Sequence, residues 1–301
     1  MNADPLYIEQ AEAIANGADG SDTILQIAAA SDFTLETLND AYNQARADYL
    51  IAMPMTVAQL QKYILTYDVA LEHSAVAIEG QQILGLAMLG VRLPRTWITR
   101  LGILQVKRRH GTGQRLMETL IERSWQLGAH TIILEVIKNN APAHRLFCKL
   151  GFSPTRELLV LHRNAEASIP TVPTYTTRRL TEGEAVTALE HYQNTPSWLN
   201  EIPSLHHAGN LEGLEVHLHS GEWGWITYQR LPSQLGKLTL QAETADKEAV
   251  YSALLHALHT AYPNHETHHE NLAADDPCFP ALQAFGYTVA FERIEMVLRR
   301  A

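Results

Sequence analysis

Residues 101–113 have the pattern best suited to binding an anion. They join a predicted strand to a predicted helix through a loop that contains Gly111, Gly113 and several basic side chains. Gly111 and Gly113 let the backbone turn so that the N–H groups of residues 109–114 converge, and the next helix adds the positive end of its dipole. The pattern is typical of a pyrophosphate site, and a plain glycine turn with a solvated basic patch fits it equally well. The basic side chains beside these amides are Arg108, Arg109 and His110.

A second motif follows about thirty residues downstream, across one predicted helix and one predicted strand. It reads Asn140-x-x-Ala143-x-x-Leu146-Phe147-x-x-x-Gly151-Phe152. Together with Arg108-x-x-Gly111-x-Gly113, it resembles the two cofactor motifs of the GNAT superfamily of N-acetyltransferases. The resemblance covers roughly residues 23–163 and rests on two motifs in the right order and at the right separation.

The resemblance implies a binding site for acetyl-CoA as cosubstrate, with no metal. In that family, the strand before the loop bulges away from the next parallel strand, and the pantetheine arm lies in the gap. Asn140 would contact this arm, although the residue also fits a simple helix cap before Pro142. The residues that the resemblance assigns to the cofactor are Ile103, Leu104, Arg108, Arg109, His110, Gly111, Thr112, Gly113, Gln114, Asn140, Ala143, Arg145 and Phe147.

Glu135 is the candidate catalytic residue. Transfer of an acyl group to an amine needs a base that takes the proton of the amine. In part of the family, including ribosomal-protein alanine acetyltransferases, a glutamate twelve positions before the aromatic residue of the second motif is that base, and Glu135 stands twelve before Phe147. A structural glutamate paired with Arg or Lys is the alternative.

Phe147 departs from the family pattern, which commonly has a tyrosine there as the general acid. Phenylalanine has no proton to give, so the acid is unassigned. Tyr42 and Tyr49, on the first predicted helical segment, are two residues that could reach the substrate side.

The elements that must position these residues follow from the apolar periodicity. The first half predicts the order β-α-α-β-β-β-α-β-α-β, with Ser31 capping the first helix and Thr56-x-x-Gln59 a capping box for the second. This order indicates an α/β fold with a mixed sheet. The predicted strands are 23–29, 74–79, 83–92, 96–105, 130–137 and 152–162, and the later helices are 112–127 and 141–150.

The second half repeats the end of the first half weakly. At an offset of 135 residues, Glu135 matches Glu270 and Gly151 matches Gly286. The stretch before the predicted helix 253–260 has acids and no glycine where the first half has its loop, which opposes a pyrophosphate. We expect tandem GNAT folds with a degenerate second copy: an extension at 1–22, an acetyl-CoA-binding domain at 23–165, a Pro-containing linker at 166–173 and a domain without a cofactor site at 174–301. His265, His268 and His269 invite a metal interpretation, but a solvated loop is favoured.

Composition excludes several classes of protein. The chain has 301 residues and a net charge of −10, of which −8 falls on residues 174–301, so nucleic acid and membrane surfaces are not expected partners. Cys148 and Cys278 are too few for a disulfide framework, the longest apolar stretch at 83–91 is too short to span a membrane, and no signal peptide is recognisable. These features predict a cytoplasmic protein.

The leading hypothesis is an N-acetyltransferase that moves an acetyl group from acetyl-CoA directly to a primary amine of a small molecule or peptide. The acidic second half favours a cationic acceptor. The alternative is a non-catalytic acyl-CoA-binding sensor or scaffold, and a nucleic-acid binder using Arg108 and Arg109 ranks last. The sequence leaves open the acceptor, the length of the acyl group and the oligomeric state.

Overall fold

The structure is a computed structural model, and it describes residues 25–51, 53–244 and 247–300. The predicted extension 1–22, the first two residues of the predicted strand 23–29, and Ala245 and Asp246 of the second half lie outside the described residues. No described helix is long and apolar enough to cross a membrane.

The first half has the predicted order of elements. Its helices are α1 (Leu35–Ala45), α2 (Val57–Thr66), α3 (Thr112–Gln126) and α4 (Ala141–Lys149). Its strands are β1 (Gln26–Ala29), β2 (Ala75–Glu79), β3 (Gln82–Arg92), β4 (Arg95–Ile103), β5 (Thr131–Ile137) and β6 (Ser153–Arg163).

Two layers of helices cover the two faces of this half of the sheet. Leu116 and Leu120 of α3 pack with Leu134 of β5 on one face. Leu38 of α1 and Leu60 of α2 pack on the other. The apolar stripes of the helices thus bury both sides of the strands, as expected for a mixed α/β sheet.

Helix caps show one correct and one wrong prediction. The capping box at Thr56 and Gln59 is present in full. The cap predicted at Ser31 is wrong, because Ala30–Asp32 form a short 3-10 turn and the hydroxyl of Thr34 accepts the N–H of Thr37 instead. Both Ser and Thr cap helices well, and a 3-10 turn before the helix moves the start by three residues.

The second half has the same succession of strands. Its strands are β7 (Tyr175–Leu180), β8 (Leu211–Leu218), β9 (Trp223–Arg230), β10 (Gln234–Ala242), β11 (Glu266–Ala273) and β12 (Thr288–Arg299). Its helices are α5 (Glu182–Glu190), α6 (Ile202–Ala208), α7 (Lys247–Ala261) and α8 (Phe279–Ala284). No helix or strand occurs between Arg163 and Tyr175.

The two halves form one mixed twelve-stranded sheet in which they exchange their last strands. The order is β1-β2-β3-β4-β5-β12-β6-β11-β10-β9-β8-β7. β12 therefore lies between β5 and β6, and β6 lies between β12 and β11. Each half therefore completes the sheet of the other. The order of strands is the same from either edge of the sheet when each strand is replaced by its counterpart in the other half.

Candidate active site

Strands β4 and β5 separate at a bulge. Their parallel pairing ends at Ile98 and Leu134. Just beyond, the single residue Ala87 of β3 opposes both Arg100 and Leu101 of β4. Arg100 has a left-handed backbone with φ 57°. A bulge bends and twists the strand that carries the extra residue, and here it opens a gap between β4 and β5.

The loop after β4 presents backbone amides toward this gap. Arg109 and Gly111 both have a left-handed backbone, with φ of 67° and 82°. Left-handed residues in a turn make neighbouring N–H groups converge. Gly111 precedes α3, and the first helical amide to donate backwards is that of Arg115, to the carbonyl of Gly111 at 3.0 Å. The amides of the first turn are thus free of helical partners and can hold an anion.

A cavity of about 660 Å³ extends from this loop into the gap between the strands. It brings together most of the residues predicted to hold the cofactor and also Glu135. Leu104, His110, Thr112 and Arg145 do not line it. The predicted site residues that do line the cavity are Ile103, Arg108, Arg109, Gly111, Gly113, Gln114, Glu135, Asn140, Ala143 and Phe147.

Arg108 is held by protein groups. Its two terminal nitrogens donate to the carboxylate of Asp48 at 2.6 and 2.7 Å, and its Nε donates to the carbonyl of Ile103 at 3.0 Å. This bidentate pair lowers the pKa of Asp48 through the hydrogen bond and fastens the segment after α1 to the end of β4. Arg109, in contrast, is exposed at the loop.

Asn140 joins the cap of α4 to the cavity wall. Its Oδ1 accepts the N–H of Ala143 at 3.3 Å, and its Nδ2 donates to the hydroxyl oxygen of Tyr49 at 2.9 Å. Because the cap fixes which end of the amide faces the helix, the Tyr49 oxygen is an acceptor in this bond. The hydroxyl proton of Tyr49 therefore stays available. Tyr42 differs, since its hydroxyl donates to the carbonyl of Met53 at 3.1 Å.

Glu135 is the first residue of β5 beyond the parallel pairing with β4. Its neighbours Leu134 and Val136 lie in the core under α3 and α4, so the alternation of the strand turns Glu135 to the α1–α2 face. The side chain is 7% exposed, and its Oε1 has no hydrogen-bond partner among the described residues. Burial raises the pKa of Glu135 to about 7, although the nearby charge of Arg293 lowers it.

Arg293 reaches this site from β12, the last strand of the second half. Its Nη1 lies 3.7 Å from Oε2 of Glu135 and 2.9 Å from Oε2 of Glu270. The same nitrogen also donates to Oδ1 of Asn271 at 2.6 Å. The two glutamates that match at the 135-residue offset thus share one arginine, and the exchanged strand supplies it.

Several lining residues were missed from the sequence. Arg46, Asp48 and Trp97 line the cavity, and so does the bulge residue Arg100. The one signal for Arg100 was a charge within the apolar run of β4. Trp198 of the second half stacks on Trp97 with ring centroids 5.8 Å apart, and nothing local in the sequence indicates this contact.

Strand β10 of the second half has a bulge that corresponds to the bulge of β4, but the residues around it differ. The parallel pairing of β10 with β11 ends at Gly236, and the next residue, Lys237, has φ 51°. The cavity beside this bulge is about 300 Å³ and is lined by Asp275 and Asp276. Asp275 stands 135 residues after Asn140, so an acid takes the place of the amide. That this half holds no cofactor stays a prediction.

The solvated loop predicted for the histidine-rich segment is wrong, because residues 266–273 form β11 between β10 and β6. The three histidines, all in the described part of the chain, also do not form a cluster with one another. His269 is buried, and burial lowers its pKa to about 4. His268 instead lies on the strand beside His162 of β6. These two and Glu266 bring ligand-type atoms within 4.8 Å of one another at a partly exposed surface.

Comparison with known proteins agrees with this geometry. Residues 36–152 match the model of the acetyltransferase (GNAT) family. No curated protein matches the chain by sequence. Among solved structures, a GCN5-related N-acetyltransferase from Sphaerobacter thermophilus has a TM-score of 0.70 at 13% identity, covering 93% of this chain and 96% of that one.

Two further solved structures match over nearly the full length. A tandem GNAT protein from the clavulanic acid biosynthesis pathway has a TM-score of 0.62 at 15% identity, covering 92% of this chain and 98% of the other. A protein of Pyrococcus horikoshii described as a putative acetyltransferase has a TM-score of 0.60 at 13% identity, covering 95% and 92%. The predicted fold class is confirmed: the chain has a mixed α/β fold with one mixed sheet, and this fold matches those of solved GNAT structures, a tandem GNAT protein among them.

Proposed function

We propose that this protein is an N-acetyltransferase that uses acetyl-CoA and acts by direct transfer onto a primary amine of a small molecule or peptide. The observation that carries the proposal is the position of Glu135 at the apex of the gap between β4 and β5. A buried carboxyl with a pKa raised to about 7 faces a cavity that runs to the amide cluster at residues 109–114. This combination joins an anion site to a base.

In this proposal, acetyl-CoA supplies the acetyl thioester. The amides of residues 109–114 and the side chain of Arg109 hold the phosphates, and Ile103 offers backbone groups to the pantetheine arm. Glu135 takes one proton from the amine as the C–N bond forms and the C–S bond breaks. One proton must reach the departing sulfur.

We assign that proton to Tyr49. Phe147 lines the cavity without a hydroxyl, and Tyr42 donates its proton to a backbone carbonyl. Tyr49 also lines the cavity, and its oxygen already accepts from Asn140, so its own proton is free to be given. A tyrosine from the segment after α1 thus replaces the tyrosine missing from α4.

The chain is proposed to divide into an acetyl-CoA-binding domain at 23–165, a linker at 166–173 and a cofactor-free domain at 174–301. The role proposed for the second domain is to complete the first. Its strand β12 supplies Arg293 beside Glu135, and Trp198 packs on Trp97 at the cavity wall.

Calorimetric titration with acetyl-CoA tests the cofactor part of the proposal. Gly111→Glu places a carboxylate and a Cβ where φ is 82°, so we expect binding to be lost. Gln126→Glu adds the same charge at the exposed far end of α3, and we expect binding to persist. No binding by the native protein, or equal binding by all three, contradicts the proposed cofactor site.

A second candidate function is a non-catalytic acyl-CoA-binding sensor or scaffold. The absence of a hydroxyl at Phe147 favours it. Thiol release from acetyl-CoA, measured over a panel of primary amines, separates the two. Binding without release on any amine supports the sensor.

A further inference from the structure

Two arginines on the cavity wall have no acidic partner. Arg46 at the end of α1 and Arg100 at the bulge of β4 both line the cavity. Neither forms an ion pair with any residue that the structure describes. The Nε of each is buried without a hydrogen-bond partner in the described chain. A buried guanidinium donor without an acceptor is costly, so a ligand that supplies the acceptor would be favoured.

Aromatic rings hold both guanidinium groups in place. The carbon atom at the centre of the Arg46 guanidinium lies 3.7 Å from the ring centroid of Tyr49, and that of Arg100 lies 4.1 Å from the centroid of Tyr63. Both also lie near the ring of Tyr42, at 5.5 and 5.3 Å. Stacking of this kind fixes the orientation of a guanidinium without neutralising its charge. The two cations are therefore preorganised and still able to bind an anion.

Of the other charged groups that line the cavity, Arg109 is exposed at the loop and is assigned to the phosphates, and the rest already have partners. Asp48 is held by Arg108 in a bidentate pair, and Glu135 lies beside Arg293. The positive charges of Arg46 and Arg100 are therefore not neutralised on the cavity wall. Arg108, by contrast, is a cavity arginine whose charge is neutralised by the protein itself. Arg100 contacts helices α1 and α2, on the same face of the sheet to which Glu135 turns.

We propose that the acceptor is a small primary amine that also bears a carboxylate, the chemistry of an amino acid. Arg46 and Arg100 bind the carboxylate, and the amine faces Glu135. The inference rests on the proposed acetyltransferase function and names the acceptor class of that same site. A carboxylate can accept two parallel N–H groups from an arginine, and this bidentate geometry adds specificity as well as strength.

The net charge of the second half does not oppose this assignment. Two of its acids are neutralised by arginines of the first half and so add little field in the cavity. Glu201 pairs with Arg92 and Arg95, and Glu295 pairs with Arg156. Local charge at the wall, rather than the total, sets the preference for an acceptor.

The test compares amino acids with their carboxamides as acceptors. Thiol release from acetyl-CoA gives kcat/KM for glycine, β-alanine and larger amino acids, and for the amide of each. The ratio of acid to amide is measured in the native protein, in Arg46→Gln and in Arg100→Gln. Differences in amine basicity affect every protein alike and cancel when these ratios are compared.

We expect the ratio to favour acids and to fall at least tenfold in each variant, a change that corresponds to about 1.4 kcal/mol. Arg300→Gln, which removes an exposed cation at the end of the chain, should leave the ratio unchanged. Circular dichroism and acetyl-CoA affinity verify that the variants fold. A native ratio that favours amides or carboxylate-free amines, or a ratio unchanged in both variants, overturns the inference. No release on any amine contradicts the proposed function instead.

Discussion

At the scale of single residues, the proposed reaction divides its two proton transfers between Tyr49 and Glu135. Tyr49→Phe removes the only hydroxyl among the cavity-lining aromatics that has an uncommitted proton in the described structure. We expect kcat to fall by about 100-fold, the lower range for general acid catalysis. The affinity for acetyl-CoA should stay nearly constant.

The control for this prediction is Tyr42→Phe. The Tyr42 hydroxyl donates to Met53 and accepts from Arg100 at 2.7 Å. Its loss should lower the melting temperature and, through Arg100, raise the KM of the acceptor, while kcat stays almost unaltered. Steady-state measurement of kcat for both variants tests whether Tyr49 is the general acid. If Tyr49→Phe turns over as fast as the native protein, another group protonates the sulfur.

At the scale of elements, the bulge of β4 makes the site. Without Arg100, the strand would alternate regularly, because Thr99 contacts the α1–α2 side and Leu101 the core under α3. Deletion of Arg100 should therefore let β4 pair with β5 beyond Leu134 and close the gap. We expect a folded protein that no longer binds acetyl-CoA.

Arg100→Gln is the matched variant for the bulge. It keeps the extra residue and should keep acetyl-CoA binding, while it weakens the acceptor preference. Calorimetry on the two variants separates backbone geometry from side-chain charge. Equal binding by the deletion variant would show that the bulge is not what opens the cofactor cleft.

The local elements were predictable because their signals lie close together in the chain. Thr56 and Gln59 form the predicted capping box, and Gly128 and Gly151 end helices with φ of 87° and 92°. The loop at residues 109–114 was likewise readable from its glycines. Arg100 was not, because a bulge is a property of how two strands align and leaves little trace in one sequence.

At the scale of the whole molecule, the exchanged strands bind the two halves together. β12 pairs with β5 over seven residue pairs, from Arg299 with Thr131 to Arg293 with Ile137. A fragment of residues 1–165 would lose this strand and leave two open edges, at β5 and β6. We expect the fragment to lack cooperative thermal unfolding, and co-expression with residues 166–301 to restore it.

An isolated fragment that unfolds cooperatively and binds acetyl-CoA would contradict this interdependence. The exchange itself was not predictable from the sequence. The repeat at an offset of 135 residues indicated two similar halves, but pairing of β12 with β5 is a contact between residues more than 150 positions apart. Periodicity reports on neighbours in the chain, and the partner of a last strand is decided by tertiary packing.

The most direct test of the central claim is the pH dependence of thiol release by the native protein and by Glu135→Gln, with one amine acceptor. As a base, Glu135 must lose its proton, and its pKa is raised to about 7. We expect the native kcat/KM to exceed that of the variant above pH 7, and the ratio of the two to fall by about tenfold for each pH unit below it. The ionisation of the amine affects both proteins and cancels in the ratio. A ratio near one at every pH would remove Glu135 from the chemistry and contradict the account.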